Sequence, residues 1–95
     1  MAWVQIQHAA RHSWDDHQKV VALLGDEKPE GLIVRAAGEV DHRWKGVSIW
    51  ESKEAYERFV EARLLPAVRQ AFGDEDIAAG PPPEEWFEAK HIMGP

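Results

Sequence analysis

The residues of this chain that can do chemistry are its five histidines, its single tyrosine and a few arginines set in apolar surroundings. His8 follows Val4 and Ile6 at alternate positions, and His91 shares an alternation with Phe87, Ala89 and Met93. A period of two places each set on one face of a strand. If the first and last strands are antiparallel neighbours, His8 and His91 lie close together. A pair of imidazoles inside a pocket can act as a general base or hold a divalent metal. A metal asks for a third ligand, for which His12 and His17 are only loosely placed. Buried, hydrogen-bonded histidines of purely structural use are the competing reading. His42 falls at a hairpin tip, where water solvates it. Arg35, on a strand, and Arg63, beside a helical apolar stripe, have semi-buried settings. Each can hold an acidic substrate, or pair with one of the chain's many carboxylates.

These side chains must be carried by regular elements, and the sequence marks them. Trp3 to Ala10 alternates, with Val4, Ile6 and His8 on one face and Trp3, Gln5 and Gln7 on the other. Ser13-Trp14-Asp15-Asp16 has the form of a helix start, with Asp16 at the capping-box position and two acids at the positive end of the dipole. Trp14, His17, Val21 and Leu24 recur at helical spacing with Val20 beside them, and Gly25 stops the helix. A polar loop around Pro29 leads to a second strand, Gly31 to Gly38. Glu39 to His42 is short enough to be a hairpin connection into a third strand, Arg43 to Trp50. Ser52 caps a second helix with the stripe Tyr56, Phe59, Val60 and Leu64. Pro66 inside that pattern predicts a kink or break near Leu65. After an acidic loop, Pro81-Pro82-Pro83 reads as a stiff lead-in to a last alternating strand, Glu85 to Met93.

Ninety-five residues make one domain, residues 1–95. Eleven basic and seventeen acidic residues leave a net charge of −6, which argues against nucleic acid or anionic membrane as partner. There is no cysteine, hence no disulfide, thiolate nucleophile or zinc-thiolate site. No signal-like N-terminus or long apolar run occurs, so the expected location is cytoplasmic. Five tryptophans are many for this length. Trp combines large apolar area with an N–H that wants a partner, which suits pockets and interfaces as well as cores.

The element order β-α-β-β-α-β implies an α+β, ferredoxin-like fold with a four-stranded antiparallel sheet and two helices on one face. The helices cover one face only. Yet the third strand is apolar on both, with Val47 and Ile49 one way and Trp44 and Trp50 the other. A bare apolar sheet face is an association site, so a homodimer closed through that face is expected.

Here the chain resembles the dimeric α/β-barrel proteins that include the antibiotic-biosynthesis monooxygenase-like group. The resemblance lies in the element order, in Trp50-Glu51-Ser52 followed by Glu54-Ala55-Tyr56-Glu57-Arg58-Phe59, in Arg63-Leu64 and Pro66, and in the proline run before the last strand. It implies a pocket between helices and sheet near Trp50. With Trp50 facing the helices, Ser48 and Gly46 share its face and leave room, while Trp44 and Trp50 wall the space. Tyr56, six residues beyond Trp50, matches a tyrosine of some polyketide oxygenases in the group. Its hydroxyl would hydrogen-bond a phenolic substrate losing a proton, or else it is a core tyrosine with its hydroxyl at the rim. Haem-degrading members place an asparagine on the first strand and a histidine about ten residues beyond the tryptophan. Here those places offer glutamines and Val60, so haem is disfavoured. The expected site therefore comprises Tyr56, His8 and His91 as catalytic groups, and Trp50, Trp44, Ser48, Gly46, Phe59 and Arg63 around a hydrophobic small molecule. No cofactor and no metal are expected. The expected chemistry is cofactor-independent oxidation or isomerisation of an aromatic or enolic compound; a non-catalytic ligand-binding or interaction domain is the alternative.

Overall fold

A computed structural model describes residues 2–80 and 83–93. In chain order these form β1 (Trp3–Ser13), α1 (Trp14–Leu24), β2 (Leu32–Val40), β3 (Arg43–Trp50), α2 (Lys53–Phe59), a π-helical turn (Val60–Leu64), α3 (Leu65–Phe72), α4 (Asp74–Ala78) and β4 (Glu84–Glu88). The strands make one antiparallel sheet in the order β2-β3-β1-β4. The chain is thus α+β, compatible with a ferredoxin-like fold.

Local chemistry explains most boundaries. Ser13 and Asp16 form the expected reciprocal box: Asp16 N–H donates to Ser13 Oγ over 3.1 Å and Ser13 N–H to the Asp16 carboxylate over 3.2 Å. Ser52 Oγ accepts from Ala55 N–H at the start of α2. Asp41 and His42 both take positive φ, 51° and 67°, so β2 and β3 are joined by a two-residue turn whose twist matches the strands. Gly31, at φ 86°, crosses the first turn of α2 so closely that an added Cβ would sit 2.5 Å from the Cβ of Ala55. Glycine is required there on both counts.

The kink expected at Pro66 takes another form. Leu65 N–H reaches back to the Val60 carbonyl, five residues away, and the chain stays helical through the proline. Proline cannot donate and crowds the carbonyl four residues earlier; one widened turn removes both conflicts without ending the helix. The last strand is shorter than its alternation suggested. It ends at Glu88, and Lys90 to Met93 are exposed and outside the sheet. Of the proline lead-in, Pro81 and Pro82 lie outside the described residues.

The two sheet faces differ in an unexpected way. The face under the helices carries Gln5 and Gln7 of β1, Arg35 of β2, and Trp44, Ser48 and Trp50 of β3. Trp50 and Gln5 are each only 1% exposed. The opposite face carries Val4, Ile6 and His8 with Val34, Val47, Ile49 and Phe87. Val34, Val47 and Phe87 there are 40–51% exposed. So the more polar face is the covered one and the more apolar face lies open. No helix among the described residues is long and apolar enough to cross a membrane.

Candidate functional site

Between the inner sheet face and the helices lies a cavity of about 830 Å³. β3 supplies one wall: Trp50, 1% exposed at the end of the strand, meets Tyr56 edge-on at 5.4 Å and lies 5.5 Å from Phe59. Serine at position 48, two residues back on the same face, stands beneath it. Trp50 Nε1 donates to Ser48 Oγ over 2.8 Å, and Ser48 Oγ donates to Gln5 Oε1 over 3.0 Å. Gln5 Nε2 then donates to Glu84 over 2.9 Å, so the chain of bonds crosses β3, β1 and β4. Every member is satisfied, which is what makes such a network tolerable at depth.

Gly46 plays a different part from the one expected. A Cβ placed on it would lie 3.1 Å from the Trp44 ring, so Trp44 folds over its own strand neighbour and fills that space. Gly46 does not line the cavity; it seats Trp44. The Trp44 ring in turn stacks on His17 of α1 at 4.6 Å, and His17 lies 5.4 Å from Trp14. Burial first, and the charge of Arg35 second, hold His17 down at about 4, so at neutral pH it is an uncharged imidazole. Arg35 Nη2 lies 3.5 Å from its Nε2. An arginine can only donate, so that nitrogen carries the lone pair.

Tyr56 is held on three sides. It meets Trp50 and, at 5.1 Å, Trp86, and its hydroxyl accepts from Gln7 Nε2 over 3.3 Å. Burial pushes the phenol up from its ordinary value. Tyr56 therefore stays protonated at neutral pH, with its hydroxyl hydrogen free to donate.

The pairing of His8 with His91 does not occur. In the β1–β4 ladder Trp3 faces Glu88 and Gln7 faces Glu84, so His8 lies at the Pro83 end, its N–H bonded to the Pro83 carbonyl. His91 lies past the other end, beyond Ala89, whose N–H bonds to Ala2. His8 moreover projects from the open face, 3.4 Å from Glu85. The topology made the two strands neighbours, but antiparallel pairing puts the late residues of β1 and of β4 at opposite ends of the ladder. Arg63 is also placed elsewhere: it donates to the carbonyls of Leu24 and Glu27 over 3.0 and 2.9 Å, closing the end of α1.

Sequence reading missed the groups that replace them. His17 was visible as part of the buried stripe of α1, but nothing local announced its stack on Trp44. His12 lies between two acids, 2.7 Å from Asp76 and 3.4 Å from Asp16, and stacks on Phe72 at 4.3 Å. Asp76 belongs to the acidic run that reads as solvated surface. Gln5 and Gln7 gave the one usable signal, a polar strand face set against an apolar one. No group of three or more metal-ligating side chains able to hold an ion occurs among the described residues.

No family model matches the sequence, and no curated protein matches it. Solved structures do. NE2512 from Nitrosomonas europaea, a protein of unknown function, aligns over 99% of this chain and 91% of its own at 14% identity and a TM-score of 0.58. A mutant form of SnoaB, a cofactor-independent oxygenase from Streptomyces nogalater, aligns over 97% and 94% at 13% identity and a TM-score of 0.53. The likeness is one of fold. It extends along almost the whole chain.

Proposed function

We propose that two copies of this chain associate through the open sheet face, completing a dimeric α/β barrel, and that each cavity takes a hydrophobic aromatic or enolic molecule for cofactor-independent oxidation or isomerisation. The observation that carries this reading is the cavity itself, about 830 Å³ of space walled by Trp44, Trp50 and Phe59 with the neutral Tyr56 phenol at hand. The fold shared with SnoaB supports it. The exposed Val34, Val47 and Phe87 on one side of the sheet support the dimer.

In such an oxidation the substrate supplies the electrons. A methylene carbon of an anthrone-type compound loses a proton and becomes an electron-rich anion that reacts with O2. The carbon ends as a carbonyl: it gives up two hydrogens and four electrons, one oxygen atom enters the product and the other leaves as water. Tyr56 donates to the substrate oxygen on which negative charge develops, lowering the cost of the deprotonation. Trp44, Trp50 and Phe59 hold the rings and exclude water. Oxygen uptake by the purified protein with an anthrone-type substrate and no added cofactor is the expected result. No uptake across a panel of phenolic and enolic compounds, with binding intact, makes this a non-catalytic binding domain instead.

A further inference from the structure

Arg35 reaches the cavity from β2, yet its guanidinium makes no salt bridge among the described residues. Four acids line the same cavity; Asp26 and Glu27 make no ion pair with Arg35, and the other two are engaged elsewhere. Asp16 is bonded to Ser13 and paired with His12 and Lys19, and Asp76 holds Arg11 and His12. What meets Arg35 is the uncharged His17, itself locked between two indole rings. Arg35 is exposed to that space, so it offers the cavity a guanidinium with no carboxylate on it, beside an aromatic wall. A neutral acceptor orients it but does not neutralise it.

We infer that Arg35, aimed by His17, is the anion-recognition point of the cavity, and that the ligand is a planar aromatic acid. Its ring lies against Trp44, and its carboxylate or ionised hydroxyl lies on the guanidinium. The planar fork of arginine matches a carboxylate edge, and such charge-assisted bonds are stronger than neutral ones. His17 is a positioning residue: it touches Arg35 and the Trp44 wall, not the charge of the ligand. This rests on the reading of the cavity as an aromatic small-molecule site and adds the substrate class to it.

The test uses two flat probes of one shape, 1-hydroxy-2-naphthoate and its neutral amide, titrated against the full chain while tryptophan fluorescence is followed. The wild-type protein binds the naphthoate about tenfold more tightly than the amide, as a charge-assisted contact predicts. Arg35→Met abolishes the preference by weakening the naphthoate far more than the amide, Arg35→Lys keeps part of it, and added salt weakens it. His17→Phe reduces the preference while His17→Gln, which keeps an acceptor, restores it. Equal affinities in the wild type, or a preference that survives Arg35→Met, overturns the inference and leaves the aromatic cavity standing. Failure of the folded protein to bind either probe overturns both. No turnover is read, so the outcome of the oxygen assay does not bear on this result.

Discussion

Trp50 donates its indole N–H to Ser48 Oγ over 2.8 Å, two residues back along the same strand. Both side chains face the helices and both are buried. A strand that places its serine between a tryptophan and the glutamine of the next strand has built a polar floor under an aromatic wall. Ser48→Ala removes an acceptor from Trp50 and a donor from Gln5 at one stroke. We expect a loss of about 1–3 kcal/mol in urea unfolding, the cost of stranding buried polar groups. An unchanged midpoint would show that the floor has no structural weight.

The pH dependence of stability carries the signature of His17. Its folded value is about 4 against an ordinary 6.5, through burial and the charge of Arg35. Between those values the unfolded chain binds a proton that the folded one refuses, so stability is full above about 6.5 and falls as the pH drops toward 4. The full effect is at most about 3 kcal/mol. His17→Gln flattens the urea midpoint across that window. It leaves the further loss at lower pH, where Asp16 titrates. Burial alone would raise the Asp16 pKa, but its bonds to Ser13 and His12 more than offset this and lower it. A wild-type midpoint that does not change between pH 6.5 and 4 contradicts the assignment.

Arg63 separates structural from binding roles. Its two bonds go to carbonyls at and beyond the end of α1. Arg63→Ala therefore lowers stability by about 1–2 kcal/mol, as loss of a helix-terminal partner does. Affinity for 1-hydroxy-2-naphthoate stays the same. Weakened binding at unchanged stability would return Arg63 to the ligand site.

The open sheet face is where the proposed dimer forms. Val47 lies on it, 40% exposed in the isolated chain. Light scattering is expected to give twice the 10.8 kDa mass for the wild-type chain, and the single-chain mass for Val47→Lys with its circular dichroism retained. A wild-type mass of one chain would refute the dimer.

Much of the site was legible in part. Trp44, Ser48 and Trp50 share a face because period two requires it, and Tyr56 and Phe59 fall on the stripe of α2 that meets that face. Histidines 8 and 91 misled because alternation reports which side of a strand a residue occupies, while pairing along the strand depends on register. Arg63 misled because a helical stripe does not say which neighbouring element it meets. Gly46 misled because a missing side chain marks free volume only when no other side chain fills it, and here Trp44 does.

By itself the sequence determined the elements and their order. The serine caps, the glycine stops, the alternating strands and the short hairpin are local matters, governed by backbone conformation within a few residues. It also determined that β3 would end on a tryptophan with a serine two residues before it. Only the tertiary structure decided which sheet face the helices cover. The usual rule buries the apolar face, and this fold instead covers Gln5, Gln7 and Ser48 and leaves Val34, Val47 and Phe87 open. Covering polar groups is tolerable because each finds a partner across strands or from a helix, and no single segment contains both halves of such a bond. The same holds for His17, whose neutral state depends on Trp44 and Arg35, twenty-seven and eighteen residues away in the chain.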